Sequence, residues 1–129
     1  MKTPRKAARP RSPRLNTTLT TVLAAALDKK AVDLVVLDLR SASAFTDFFV
    51  IATALNVRQS QAIADAVEES LAKKGVKPAL TEGYSRGEWI LLDYFDFIVH
   101  VFSPTARQFY GLERLWGNAT RIELPDDEE

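Results

Sequence analysis

Apolar positions in this chain recur at two spacings, and the switches between them mark its elements. Leu19, Val22, Leu23, Ala26 and Leu27 fall three and four apart, which predicts a helix over about Thr18–Lys29, with Thr17 as its cap and Lys29-Lys30 complementing the negative end of its dipole. Asp33–Leu39 (DLVVLDL) is instead a near-continuous valine- and leucine-rich run, read as a strand buried on both faces near the centre of a sheet. Phe45–Ala52 (FTDFFVIA) is the next strand, and Ser41-Ala42-Ser43 is too short a connection to hold a crossover helix, so the two strands are neighbours.

Asn56, with Gln59 three residues on, has the pattern of a capping box. It opens a second helix whose stripe is Ala62, Ile63, Ala66, Val67 and Leu71, and Lys73-Lys74-Gly75 ends it. The opposite face, Asp65, Glu68 and Glu69, reads as a solvated helix surface. Leu80-Thr81-Glu82 is a brief edge strand. Two apolar runs, Glu88–Asp93 and Phe97–Phe102, joined by Tyr94-Phe95-Asp96, then form a β-hairpin. Ser103-Pro104 places a capping oxygen before a proline at the first helical position, so a last helix starts there, carrying Ala106, Phe109, Tyr110, Leu112, Leu115 and Trp116, with Gly111 breaking it in two. The sum is an α/β (α+β) fold: a mixed β-sheet covered by helices.

The hairpin also carries the candidate recognition chemistry. With a side-chain period of two, one face presents Trp89, Asp93, His100 and Phe102 together. Two readings stay open at this level: a packed core with a satisfied histidine, or a recognition surface with aromatic anchors and acids at its edge.

Composition narrows the function classes. The chain has 129 residues, 47% of them hydrophobic and 26% charged, which reads as one soluble globular domain. No apolar run approaches the roughly 18 residues of a membrane span, and the N-terminus lacks the apolar centre of a secretion signal, so a cytoplasmic, membrane-free protein is expected. Zero cysteines exclude disulfides, thiolate catalysis and cysteine-ligated metal, and one histidine excludes multi-histidine metal sites. The zero net charge hides an asymmetry. Lys2, Arg5, Lys6, Arg9, Arg11 and Arg14 make residues 1–16 a basic tail, expected to be disordered and suited to rRNA phosphates, and residues 124–129 are an acidic tail. The body between them is slightly acidic.

Catalytic patterns are absent. The sequence has no G-x-S-x-G, no Walker loop and no G-x-G-x-x-G. Asp93 and Asp96 stand three apart across a turn and Asp38 stands alone, so no carboxylate pair converges on metal. No catalytic residue, metal or cofactor is expected.

KKAVDLVVLDLR at Lys29–Arg40, FTDFFVIAT at Phe45–Thr53, RQSQAIADAVEE at Arg58–Glu69 and EGYSRGEWILLDYFDFIVHVFSPTARQFYGLERLW at Glu82–Trp116 together resemble the ribosomal silencing factor (iojap) family, over nearly all of residues 17–123. The chain departs from the usual pattern at Ala54-Leu55-Asn56, before the long helix, and at Phe95, which stands where a glycine normally precedes the hairpin aspartate. A bulky residue there tolerates positive φ poorly.

The resemblance implies a nucleotidyltransferase-like core without catalytic residues. It further implies a non-enzymatic repressor that binds the large ribosomal subunit through its fourteenth protein, at the subunit interface, and blocks joining of the small subunit under starvation or stationary phase. Carried over residue by residue, the contact falls on Trp89, Asp93, His100, Phe102, Tyr110 and Glu113, with Glu82 and Trp116 beside them. The resemblance admits a homodimer of the free protein and, as alternatives, a large-subunit assembly factor or a nucleotide-binding enzyme of nucleotidyltransferase ancestry.

Overall fold

The computed structural model describes residues 16–42 and 44–124, so the readings of both terminal tails lie outside the described residues apart from Asn16 and Leu124. Helix α1 spans Thr17–Asp28, and its cap is Asn16 rather than Thr17: the Asn16 amide oxygen accepts the Leu19 N–H at 2.8 Å, leaving Thr17 as the first helical residue. Strands β1 (Val32–Asp38) and β2 (Phe48–Thr53) pair antiparallel, as their short connection predicts. The second strand starts three residues later than its apolar pattern suggests. Thr46 Oγ1 donates to the Phe95 carbonyl at 2.6 Å and the Asp47 N–H to that of Asp96 at 3.0 Å, which ties this segment to the hairpin turn.

Helix α2 (Val57–Ala72) carries the capping box with one change of partner. Asn56 Oδ1 accepts the Gln59 N–H at 2.8 Å, but Gln59 Oε1 reaches back to the N–H of Leu55, at 2.7 Å. Its amide nitrogen donates to the carbonyls of Lys29 and Lys30, at 3.0 and 2.9 Å, so the same side chain also ties down the end of α1.

Strands β3 (Leu80–Glu82), β4 (Trp89–Asp93) and β5 (Phe97–Phe102) follow, then α3 (Pro104–Tyr110), α4 (Leu112–Leu115) and β6 (Thr120–Glu123). The sheet order is β3-β4-β5-β2-β1-β6, with β2 and β5 parallel and every other pair antiparallel. The central pair is therefore β2 and β5. Strand β1, buried on both faces as expected, lies one place out from that pair, and β6 pairs on its far side so that β1 is not an edge; β6 has too little apolar character to announce itself as a strand.

The two faces of the sheet are covered unequally. On one, α1 and α2 press Leu19, Val22, Ile63, Val67 and Leu71 onto Val36, Val50, Ile90, Leu92, Val99 and Val101. On the other, the cover among the described residues is mainly the C-terminal segment: Ala106, Leu112, Trp116 and Ala119 over Val35, Leu37, Phe49, Ile51, Ile98 and Phe102. Trp89 and Leu91, on β4, are left half-buried on this thinly covered face.

Candidate functional site

The β4–β5 register sets Trp89 opposite Phe102, Leu91 opposite His100 and Asp93 opposite Ile98, so all six side chains share the thinly covered face. Helix α3 starts beside them because Ser103 Oγ accepts the Ala106 N–H at 3.0 Å and Pro104 follows it. It ends after seven residues at Gly111, whose φ of 55° is the left-handed conformation glycine adopts at no steric cost. That short length brings the last turn of α3 over the start of β4.

A connected group of rings results. Trp89 lies 4.5 Å from Tyr110 and 5.0 Å from Phe102 between ring centroids, and Phe109 meets Tyr110 edge to face at 5.0 Å. His100 stacks on Phe102 at 5.9 Å and meets Phe49 at 4.6 Å, and Phe49 in turn contacts Trp116 at 6.0 Å. Exposure divides the group into a floor and a surface. Phe102 is fully buried and His100 is 3% exposed, whereas Tyr110 is 49% and Phe109 74% exposed, and nearby on the chain Leu115 is 71% exposed.

His100 is neutral at physiological pH: burial pushes its pKa down to about 3. Its Nδ1 accepts the Trp89 indole N–H at 3.0 Å, while its Nε2 has no hydrogen-bond partner among the described residues.

Of the eight residues singled out in the sequence, Trp89, His100, Phe102, Tyr110 and Trp116 belong to this one ring system, the last through Phe49. The other three lie apart from it. Asp93 Oδ1 accepts the Phe95 N–H at 2.9 Å in the hairpin turn, at the far end of β4 from Trp89. Glu82 is exposed on edge strand β3, opposite Leu91 in register. Glu113 is gripped by Arg107 and Arg121, and the hydrogen bond from Arg107 holds its carboxyl below the usual carboxylate range.

Phe109 extends the apolar surface and Leu115 adds a further exposed apolar side chain, where the sequence reading only places both on the last helix. The signal available was the adjacent pair Phe109-Tyr110 just before a helix-breaking glycine, since a seven-residue helix gives its last turn little sheet to lie on. Arg107, which organises the region beside the rings, has no local sequence signal, because its partners Asp33, Thr53 and Glu113 are scattered along the chain.

Among the described residues, no three His, Cys, Asp or Glu side chains come together as a metal site, and no helix is long and apolar enough to cross a membrane. Asp38 is engaged by Arg40 through a two-pronged contact of 2.9 and 2.7 Å.

Residues 12–129 match a family model described as ribosomal silencing factor during starvation. The chain is 39% identical over 97 residues to a ribosomal silencing factor of Halalkalibacterium halodurans, an alignment covering 75% of this chain and 83% of that one. It is 37% identical over 101 residues to one of Bacillus subtilis, covering 78% and 86%. A crystal structure of a Chromobacterium violaceum protein superposes with a TM-score of 0.75 at 30% identity, over 86% of this chain and 93% of that one. With this match spanning nearly the whole chain and a shared fold, the chain belongs to the ribosomal silencing factor family.

Proposed function

We propose that this protein represses translation without catalysis, by docking on the large ribosomal subunit and standing where the small subunit has to join. Within that reading the partner is the fourteenth protein of the large subunit, at the subunit interface, and the response serves starvation or stationary phase in the cytoplasm. The observation that carries the docking surface is the apolar pair Phe109 and Tyr110, exposed among the described residues at the end of α3, with the half-buried Trp89 packed against Tyr110. Tyrosine and tryptophan are the side chains that most often anchor interfaces, because they bury a large area with few rotatable bonds and keep a polar tip. Trp116 lies at the other end of the same ring system, and Glu82, Asp93 and Glu113, which stand apart from the rings, would supply acids at the margin of the contact.

The body between the two charged tails holds eleven basic and thirteen acidic side chains, a balance suited to a basic ribosomal protein. The basic N-terminal residues would add contacts to rRNA phosphate. A homodimer of the free protein that used the same rings would have to open before docking.

The test is co-sedimentation of the purified protein with isolated large subunits, followed by a joining assay with small subunits. The reading requires attachment to the large subunit and a dose-dependent fall in assembled ribosomes. Attachment without any fall in joining would favour an assembly role instead.

A further inference from the structure

His100 is a costly occupant of its place in the sheet. It is 3% exposed, contacts the rings of Phe49 and Phe102, and has no hydrogen-bond partner at Nε2 among the described residues. Its single hydrogen bond is the one from Trp89, and an indole N–H only donates, so Nδ1 is the lone-pair nitrogen and the imidazole proton sits on Nε2. That proton is buried without an acceptor, which penalises the fold. A leucine here would avoid the penalty. What imidazole provides and leucine does not is an acceptor beneath the indole of a half-buried tryptophan.

The geometry points to His100 as a positioning residue that touches no partner: its Nδ1 holds the Trp89 N–H inward, so that the indole reaches the large subunit already ordered against Tyr110. This rests on the docking surface proposed above. A tryptophan at a half-covered strand position has alternative rotamers, and selecting one of them from below removes an ordering cost that binding would otherwise bear. Such pre-organisation is a reason for a buried polar group to persist where it weakens packing.

The test compares His100→Leu, His100→Asn and His100→Gln in the full chain. Asparagine places its amide oxygen close to where Nδ1 stood and keeps the acceptor; glutamine projects its amide toward the Nε2 position, and leucine has no acceptor at all. The readouts are melting temperature, hydrogen exchange of the Trp89 indole N–H, identified by its loss in Trp89→Phe, and affinity for purified large ribosomal subunits. His100→Leu is expected to melt at or above the wild-type temperature, to lose protection of the indole proton, and to bind about five- to ten-fold more weakly. His100→Asn should restore both protection and affinity. Should the leucine variant fail to fold, the contrast between His100→Asn and His100→Gln decides in its place.

A double-mutant cycle isolates the bond: in a Trp89→Phe background, losing the His100 acceptor should change affinity less than about two-fold. Wild-type affinity in both His100→Leu and His100→Gln, or equal losses with and without the Trp89 N–H, overturns the inference and leaves the docking surface standing. Wild-type protein that does not sediment with large subunits overturns the docking reading and this inference with it.

Discussion

Arg107 and Glu113 meet fork to fork across the break at Gly111, with Nε to Oε1 at 2.9 Å and Nη2 to Oε2 at 3.0 Å. The third guanidinium nitrogen, Nη1, donates to the Asp33 carbonyl at 2.7 Å and to Thr53 Oγ1 at 2.9 Å. Asp33 has a φ of 51° and lies where the β1–β2 register shifts, so its carbonyl is turned out of the ladder. Arg121 on β6 adds a bond to Glu113 Oε2 at 2.7 Å. One planar cation thus joins the two C-terminal helices to the sheet, and so sets where the exposed rings of α3 stand.

Arg107→Lys keeps the charge and loses the fork. A lysine reaches one of these acceptors at a time, so the variant should lose about 2 kcal/mol, read as a lower urea midpoint at unchanged slope. The same pairing gives an acid dependence. Hydrogen bonding to Arg107 lowers the Glu113 pKa below its ordinary 4.5, so the pair's contribution is complete above that pH and is lost as pH falls through the lower, folded-state value. Glu113→Gln should flatten this part of the acid limb.

Phe95 is 73% exposed and has a φ of 73° in the β4–β5 turn, where the Asp96 N–H bonds to the Tyr94 carbonyl at 2.8 Å. A left-handed conformation costs a non-glycine residue about 1–2 kcal/mol, and glycine returns about 0.5–1 kcal/mol of that through its floppier unfolded chain. Phe95→Gly should therefore stabilise the protein by about 0.5–1 kcal/mol, raising Tm by about 2–4 °C in a thermal melt. A lower Tm would mean that the phenyl ring contributes packing its exposure does not suggest.

His100 titrates near 6.5 when unfolded and at about 3 when folded, because burial disfavours its charged form. Between those values the unfolded chain binds the extra proton, so stability should be flat above about pH 6.5 and fall below it, by at most roughly 1.4 kcal/mol per pH unit. Chemical denaturation at pH 7 and pH 5 measures this. His100→Asn should remove the slope across that interval, where ordinary carboxylates stay ionised.

Phe109 and Tyr110 form the outermost part of the ring system. Phe109→Ser should leave the melting temperature nearly unchanged, since that ring is 74% exposed, and should weaken binding to large subunits about ten-fold, or about 1.4 kcal/mol. Paired thermal melts and sedimentation titrations check it: a large stability loss would mean that the ring packs on its own protein.

The elements legible in the sequence are those fixed by residues close together in the chain. Asn56 with Gln59, Ser103 with Pro104, and the hairpin around Tyr94-Phe95-Asp96 each act over a few positions, and the structure places a helix start or a turn at each. The alternation along Phe97–Phe102 also showed which side chains share a face, because the pleat has a fixed period. Strand β6 was not legible: Thr120–Glu123 has a single large apolar residue, and it becomes a strand because the edge of β1 offers unpaired backbone groups to it.

The sequence by itself determined the elements other than β6, their approximate ends and the membership of Trp89, His100 and Phe102 in one face, since these follow from side-chain period and local capping. Only the tertiary structure decided which of those rings meets solvent. Leu112, Trp116 and Ala119 return over the sheet from ten or more residues beyond His100, and Trp89 in the same cluster stays half-buried. Burial depends on what the rest of the chain lays on top of a residue, and no local pattern carries that information.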